Sequence, residues 1–164
     1  MHGQFTWIKS RKRCKDTGSD LVSIESGKEW ILLKEAIQMM QTTEYFIGLK
    51  MNSMSKEWRW ISDNSKVNAI DGEFPRAKEE PNGDGKCAVM YKDYRNDYGE
   101  FNDLECDVIY QKSGYICESP ADWNDQEGMS YNSISFIYLF IYLFIYFHIV
   151  TYKNYFRVIS FLTH

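Results

Sequence analysis

The chain has 164 residues, of which 44% are apolar and 26% are charged, and this length fits one globular domain with a tail and excludes a multidomain enzyme. All three histidines, His2, His148 and His164, lie near the ends of the chain, which disfavours a histidine-based catalytic group or zinc site in the middle. The formal net charge of −4 is unlike that of a nucleic-acid-binding surface, so we expect no nucleic-acid partner.

The start of the chain carries no recognisable signal peptide, because Met1 is followed by neither a basic start nor an apolar stretch. This absence fits a cytosolic protein, or a chain whose first exon is missing. The four cysteines favour the second interpretation, since disulfide bonds persist in oxidising compartments. We therefore expect an extracellular or cell-surface protein that is N-terminally incomplete.

The first predicted element is a helix that begins after Thr6. The Thr6 side chain suits the N-cap, Trp7 and Cys14 lie seven residues apart on one face, and Gly18 suits the C-terminal stop. The apolar run at residues 21–24 then predicts a short strand.

The second predicted element is an amphipathic helix that begins at a capping box formed by Ser26 and Glu29. Its apolar residues recur every three or four positions, as one buried helix face requires. These residues are Trp30, Leu33, Ile37 and Met40.

After this helix, the chain contains short strand-like runs separated by polar stretches rich in Asn, Asp and Gly. The runs cover residues 45–49, 58–61, 87–91 and 115–117. Two helices followed by strands and long loops predict an α+β domain.

The four cysteines form no Cys-x-x-Cys pair, which argues against a zinc ribbon and a thioredoxin-type site. They are Cys14, Cys87, Cys106 and Cys117. Disulfide bonds fit this even set better. Spacing alone leaves three pairings open, and four unpaired buried thiols are the alternative.

Seven short motifs follow one another through the first 118 residues. They are Trp7 with Cys14, Gly-Ser-Asp-Leu-Val-Ser-Ile at 18–24, Phe-Ile-Gly-Leu at 46–49, Trp-Arg-Trp at 58–60, Glu-Pro-Asn at 80–82, Phe-Asn-Asp at 101–103 ahead of Cys106, and Tyr-Ile-Cys-Glu at 115–118. Their order and spacing resemble the C-type lectin-like domain, in its Glu-Pro-Asn, mannose-type calcium-dependent subgroup. The resemblance implies that residues 1–119 adopt that fold, with two helices, short antiparallel strands and long loops. It also implies the disulfide bonds Cys14–Cys117 and Cys87–Cys106.

The resemblance further implies a site for Ca²⁺ as cofactor at Glu80-Pro81-Asn82. Calcium takes six to eight oxygen ligands, and a carboxylate and an amide on either side of one proline supply two of them. In such lectins the proline is cis, which implies a cis Pro81, and Asn102 and Asp103 resemble the second pair of metal ligands. Sugar hydroxyls complete the coordination and hydrogen-bond to Glu80, Asn82 and Asn102. The implied partners are glycans or glycoproteins that carry mannose, fucose or N-acetylglucosamine.

Two departures from the family pattern leave other functions open. The opening β-strand is missing, which would leave a sheet edge unpaired, and Gly85 stands where the family usually has a glutamate. Asp84 is the candidate replacement for that metal ligand, and a solvated turn residue is the alternative. The departures favour a calcium-independent protein-binding domain or a nonfunctional gene-model fragment as the alternative to a lectin. We expect no enzyme, since the adjacent carboxylates Glu79 and Glu80 point apart on an extended segment.

The last part of the chain has a different composition. Residues 120–133 form a polar linker, residues 134–152 are an aromatic low-complexity segment, and residues 153–164 are a short tail. Residues 136–147 repeat Phe-Ile-Tyr-Leu three times with one departure, which is the translation of a repeated TTTA tetranucleotide. We interpret the segment as translated noncoding sequence.

A membrane anchor is the alternative for this segment. Residues 134–152 are an uncharged run of 19 residues, which spans about 28 Å as a transmembrane helix. Acidic residues precede the run, and Lys153 and Arg157 follow it, which would leave the main domain outside the cell. Since a single shallow sugar site binds weakly, we also expect several copies to act together on a membrane or in an oligomer.

Overall fold

The structure is a computed structural model that describes residues 5–67, 75–77, 79–93, 98–110, 113–119 and 158–162. The chain divides into two units, residues 1–119 with 159–164 and residues 120–158. The predicted linker and the segment 134–152, with its predicted transmembrane helix, lie outside the described residues. Within the described ranges, no helix is long and apolar enough to cross a membrane.

Helix α1 (Trp7–Asp16) begins at the N-cap that the sequence predicts. The Thr6 side chain accepts a hydrogen bond from the backbone N–H of Lys9 over 3.1 Å. The helix ends before Gly18, whose φ of +76° is a left-handed conformation that glycine adopts without steric cost.

Helix α2 (Gly27–Gln38) also begins as predicted. The Ser26 hydroxyl accepts from the N–H of Glu29 over 3.2 Å. The Glu29 carboxylate accepts from the N–H of Glu25 over 2.8 Å, one residue earlier than in a standard capping box. One of the four orphan donors at this helix start, the N–H of Glu29, is therefore paired with a side-chain acceptor.

The described residues include seven strands in one mixed sheet. The strands are β1 (Asp20–Leu21), β2 (Glu44–Met51), β3 (Trp58–Trp60), β4 (Cys87–Tyr91), β5 (Phe101–Leu104), β6 (Ser113–Ser119) and β7 (Val158–Leu162). The sheet order is β1-β6-β2-β4-β5, with β3 paired to β2 and β7 paired to β6. Strands β2 and β6 run parallel, whereas β2 with β4 and β4 with β5 are antiparallel. Two helices and this sheet confirm the predicted α+β class.

Two predicted strand features differ from the structure. The strand predicted at residues 21–24 shrinks to β1, because Val22 instead bridges two strands: its N–H donates to Ile116 and its carbonyl accepts from Gly48. The missing opening strand predicts an unpaired sheet edge, but strand β7, which lies in the predicted tail, pairs with β6.

Strand β2 separates two hydrophobic cores, because successive side chains of a strand point to opposite faces of the sheet. Tyr45, Ile47 and Leu49 pack on one face, where α2 buries Leu33 and Ile37. Full burial of each such aliphatic side chain contributes about 1.5–3 kcal/mol. The other two predicted residues of the α2 face, Trp30 and Met40, are partly buried against the same core.

Helix α1 covers the opposite face of the sheet. Trp7 is buried there with Phe46, and its indole N–H donates to the carbonyl of Ile47 over 2.7 Å. The buried indole is therefore paired as well as packed.

Two disulfide bonds cross-link this framework. Cys14 of α1 is bonded to Cys117 of β6, and Cys87 of β4 is bonded to Cys106 just after β5. This is the pairing that the family resemblance implies, and it leaves none of the four cysteines as a thiol.

Candidate functional site

The predicted ligand residues lie where a loop meets the end of β5. The N–H of Ala77 donates to the carbonyl of Phe101 over 3.0 Å, which fixes the chain before the loop to the start of β5. The N–H of Glu80 donates back to the carbonyl of Ala77 over 3.0 Å, and the Glu80–Pro81 peptide bond is cis. Residues 80–85, which we call the site loop, therefore lie against β5.

Asp103 of β5 is the centre of this arrangement. It is only 2% exposed, and both of its carboxylate oxygens accept hydrogen bonds from the backbone of the site loop. Oδ1 accepts from the N–H of Asn82 over 3.0 Å, and Oδ2 accepts from those of Gly83 over 3.1 Å and Gly85 over 3.0 Å. Three N–H donors compensate for the hydration that this buried carboxylate loses.

Glu80 lies next to Asp103. The single N–H of Asn82 donates to Glu80 Oε2 over 3.0 Å as well as to Asp103 Oδ1 over 3.0 Å. Burial, with hydrogen bonding to the Asp103 carboxyl and the charges of Asp103 and Asp84, raises the pKa of Glu80. In the part of the chain that the structure describes, neither Glu80 nor Asp103 forms a salt bridge. The pair is a region of concentrated negative charge that favours a cation.

Gly85 has no room for a side chain. A Cβ atom at this position would lie 2.0 Å from the carbonyl carbon of Leu104 and 2.2 Å from its oxygen. The glutamate that is usual in the family therefore does not fit this backbone. The neighbouring Asp84 is exposed, and its own N–H donates to Asn82 Oδ1 over 2.8 Å.

Asn102 precedes Asp103 on β5. It stands opposite Val89 in the β4–β5 ladder, and its Nδ2 donates to the Tyr91 hydroxyl over 2.6 Å. Its Oδ1 is buried and has no hydrogen-bond partner among the described residues. Asn102 and Asp103 also line one small cavity together with Pro81. An unpaired buried oxygen costs about 1–3 kcal/mol, and a metal ion or a hydroxyl group would satisfy it.

The donor atoms of this site fit a calcium ion in chemical type. No three His, Cys, Asp or Glu side chains within the described ranges cluster as a metal site by themselves. The carboxylates of Glu80 and Asp103 would therefore need amide oxygens from Asn82 and Asn102, which calcium accepts as ligands. The unpaired Oδ1 of Asn102 is the observation that favours this role.

Three of the five predicted metal ligands converge through hydrogen bonds, namely Glu80, Asn82 and Asp103. Of the other two, Asp84 is hydrogen-bonded to Asn82, and Asn102 is hydrogen-bonded to Tyr91. Tyr91 has no motif in the sequence, although it lies on the same face of β4 as Val89, the residue opposite Asn102. The N–H donor of Gly85 has no residue signature either, because every residue except proline carries one.

Comparison with known proteins relates the chain to one family. The family model described as Lectin C-type domain matches residues 3–119. The chain is 29% identical over 116 residues to the human "C-type lectin domain family 4 member C" and 30% identical over 119 residues to the mouse "C-type lectin domain family 4 member E". Each match covers 71% of this chain and 51% of the relative, so the chain spans about half the length of these curated relatives.

Solved structures agree with this relationship. The C-type lectin domain of murine dendritic cell inhibitory receptor 2, in complex with an N-glycan, is 26% identical, with a TM-score of 0.56 over 70% of this chain and 81% of that chain. The domain of cow CD23, in the presence of a GlcNAc2Man3 oligosaccharide, is 26% identical, with a TM-score of 0.52 over 66% and 76%. A Ca²⁺-independent C-type lectin from Saxidomus purpuratus is similar in fold, with 22% identity and a TM-score of 0.57 over 66% and 75%. The predicted fold is thereby confirmed.

Proposed function

The chain belongs to the C-type lectin domain family, and we propose that its site loop and β5 bind carbohydrate in a calcium-dependent manner. The observation that carries this proposal is the contact of two carboxyl groups, Glu80 and Asp103, around the N–H of Asn82. A bound cation would relieve the repulsion between them. The N-glycan complex of a relative that is 26% identical supports carbohydrate as the ligand class.

The predicted ligand residues have different roles in metal and sugar binding. Glu80 and Asp103 supply carboxylate oxygens, Asn82 and Asn102 supply amide oxygens, and Asp84 adds negative charge from the exposed side of the site loop. Adjacent hydroxyl groups of a sugar would complete the coordination of a calcium ion held by these residues. Glu80 accepts and the amides of Asn82 and Asn102 donate hydrogen bonds to those same hydroxyls.

The order Glu-Pro-Asn supports a mannose-type preference, including fucose and N-acetylglucosamine. Glu80 is an acceptor on one side of the proline, and the amide of Asn82 is a donor on the other. This asymmetric pair suits two equatorial hydroxyl groups on adjacent ring carbons. Galactose presents one axial hydroxyl group and fits the pair less well.

The relatives are carbohydrate-binding proteins and not enzymes, which confirms the expectation that the chain is not an enzyme. We propose glycans or glycoproteins as its partners and an extracellular or cell-surface location, since its two disulfide bonds need an oxidising compartment. Anchoring through residues 134–152 and assembly into an oligomer belong to the same proposal.

A calcium-independent binding domain is the second candidate. It is favoured by the three backbone N–H groups that already surround Asp103 and by the lack of space for a glutamate at Gly85. In that case the site loop would bind a protein or a sugar directly.

Chromatography on immobilised mannose tests the proposal on the refolded, disulfide-bonded chain. We expect retention in millimolar calcium and release by a chelator. The Glu80→Gln variant should elute unretained, whereas Glu79→Gln, the same change at an exposed neighbour, should behave as the original protein. Retention that survives the chelator would contradict calcium dependence and favour the second candidate.

A further inference from the structure

Three hydrogen bonds join Asp103 of β5 to the backbone of the site loop, and none of them involves a metal ion. The three donors come from Asn82, Gly83 and Gly85, so they span the loop from the proline to its last residue. We propose that Asp103 is a positioning residue that keeps the site loop in its binding conformation in the absence of calcium. The inference rests on the proposed function only in taking this loop as the binding site.

The two oxygens of Asp103 carry different parts of this task. Oδ2 accepts two N–H groups, from Gly83 and Gly85, which uses both lone pairs of a carboxylate oxygen. Oδ1 accepts only the N–H of Asn82 from the backbone and is the oxygen next to Glu80. Oδ2 therefore holds the second half of the site loop. Oδ1 accepts one backbone N–H and keeps a lone pair that could bind a metal ion.

Gly85 allows the end of the site loop to pack against β5. Because it lacks a Cβ atom, its backbone packs against Leu104, and its N–H reaches Asp103. The following residue continues the contact, since the N–H of Lys86 donates to the carbonyl of Leu104 over 3.0 Å and its carbonyl accepts from Met51 over 2.8 Å. The end of the site loop is thus fixed on both sides by the sheet.

The glycine at position 85 exchanges a side-chain ligand for a close backbone contact. Where the family usually has a glutamate, this chain has a residue without a Cβ atom, whose backbone lies against Leu104 while its N–H donates to Asp103. Charge-assisted bonds of this kind are stronger than neutral ones, particularly around a buried carboxylate. A loop that is ordered before binding spares the metal the cost of ordering it.

Amide hydrogen exchange followed by NMR tests the inference on the disulfide-bonded protein in a chelator. We expect the N–H groups of Gly83 and Gly85 to exchange about a hundredfold more slowly than in an unstructured peptide. Adding calcium should change these rates by less than about threefold, because the loop is already closed. Exchange at peptide rates in the chelator, with protection gained only in calcium, would overturn the inference.

The Asp103→Asn variant tests the role of the carboxylate. In the chelator we expect about a tenfold faster exchange at Gly83 and Gly85, and a smaller change at Tyr91, whose N–H donates to Glu100 within the β4–β5 hairpin. Asp107→Asn, the same change at an exposed residue outside the site loop, is the matched control and should leave all these rates unchanged. Equal acceleration at Tyr91 would mean general destabilisation and would contradict the positioning role.

The measurements separate this inference from the proposed function. If the loop is protected in the chelator but mannose does not retain the protein, only the proposed function fails. If mannose retains the protein in calcium but the loop is unprotected without it, only the inference fails. The wild-type exchange data decide the inference even if the Asp103 variant does not fold.

Discussion

Asn102 and Tyr91 are joined by a hydrogen bond of 2.6 Å from the asparagine Nδ2 to the phenol oxygen. The strand register explains the contact, because Val89 stands opposite Asn102 and Tyr91 lies two residues further along the same face of β4. The bond orients the amide so that its Oδ1 is the atom without a partner. Tyr91 thereby positions the oxygen that we assign to the metal or the sugar.

The first prediction follows from this bond. Tyr91→Phe keeps the ring and removes the acceptor, so the Asn102 amide loses its fixed orientation. We expect calcium affinity, measured by titration calorimetry, to fall by about three- to tenfold, which corresponds to about 0.5–1.5 kcal/mol. Tyr98→Phe is the control, since Tyr98 is 41% exposed, and should not change the affinity. Full calcium affinity in Asn102→Ala would contradict the role of Asn102 as a ligand.

The sequence predicted the elements with strong local signals. Thr6 and Ser26 were found as helix N-caps because side-chain capping depends on residues a few positions apart. Leu33 and Ile37 were found because a buried helix face repeats every three or four residues. The bounds of β1 were not found, since Val22 bonds to strands that are distant in sequence.

The candidate site was predicted in its residue types but not in its geometry. Motif spacing identified Glu80, Asn82 and Asp103, which the structure brings together. It could not reveal that three backbone donors occupy Asp103, because N–H groups are the same in every residue except proline. The contact of Gly85 with Leu104 depends on strand register, which no local pattern encodes.

The second prediction concerns restoration of the usual family residue at position 85. Gly85→Glu introduces a Cβ atom 2.0 Å from the backbone of Leu104, so the loop must move away from β5. We expect the free energy of unfolding in urea to fall by about 1–3 kcal/mol and calcium affinity to decrease. Asp84→Glu enlarges an exposed acid and should change the free energy of unfolding little. A Gly85→Glu protein with native stability and tighter calcium binding would show that our account of this position is wrong.

The third prediction ranks the two disulfide bonds. The Cys14–Cys117 bond joins residues 103 positions apart, and the Cys87–Cys106 bond joins residues 19 positions apart. In the chain-entropy description the longer loop stabilises more, by about 4.7 kcal/mol compared with about 3 kcal/mol. Replacing the first pair by alanine should therefore lower the free energy of unfolding more than replacing the second. Non-reducing peptide mapping checks the pairing, and a Cys14–Cys87 peptide would contradict it.

The fourth prediction is a pH dependence at the junction of α1 and β1. Burial acts to raise the pKa of Asp20, but hydrogen bonds from Arg11, Lys15 and the N–H of Leu21 outweigh it and lower the pKa below 3.8. The folded pKa thus lies below the unfolded one. The stabilisation is complete above about pH 4 and disappears as the pH falls through the folded pKa.

The variant Asp20→Asn isolates this effect. At pH 7 it should lower the free energy of unfolding by about 1 kcal/mol or less, because Arg11 is partly exposed, and the difference should vanish in acid. Denaturant unfolding of both proteins at a series of pH values measures the difference. Asp16→Asn, at an exposed ion pair with Lys12, serves as the control, with an expected change below about 0.5 kcal/mol. A difference that is constant down to pH 2 would rule out this origin.

The last prediction concerns sugar preference and follows from the polarity of the two groups beside Pro81. Glu80 accepts and the Asn82 amide donates, so exchanging the two in Glu80→Gln with Asn82→Asp reverses the direction of the hydrogen bonds at the two sugar hydroxyls. We expect the original protein to be retained on mannose and the double variant to shift toward galactose, each only in calcium. Binding to a single site should be on the order of millimolar, or about −4 kcal/mol, so densely coated columns are needed to detect it. The N–H of Asn82 that contacts Asp103 is a backbone group, so both proteins should keep the same loop closure and comparable melting temperatures. Equal retention of the original protein on both sugars would remove the specificity argument while leaving the metal site in place.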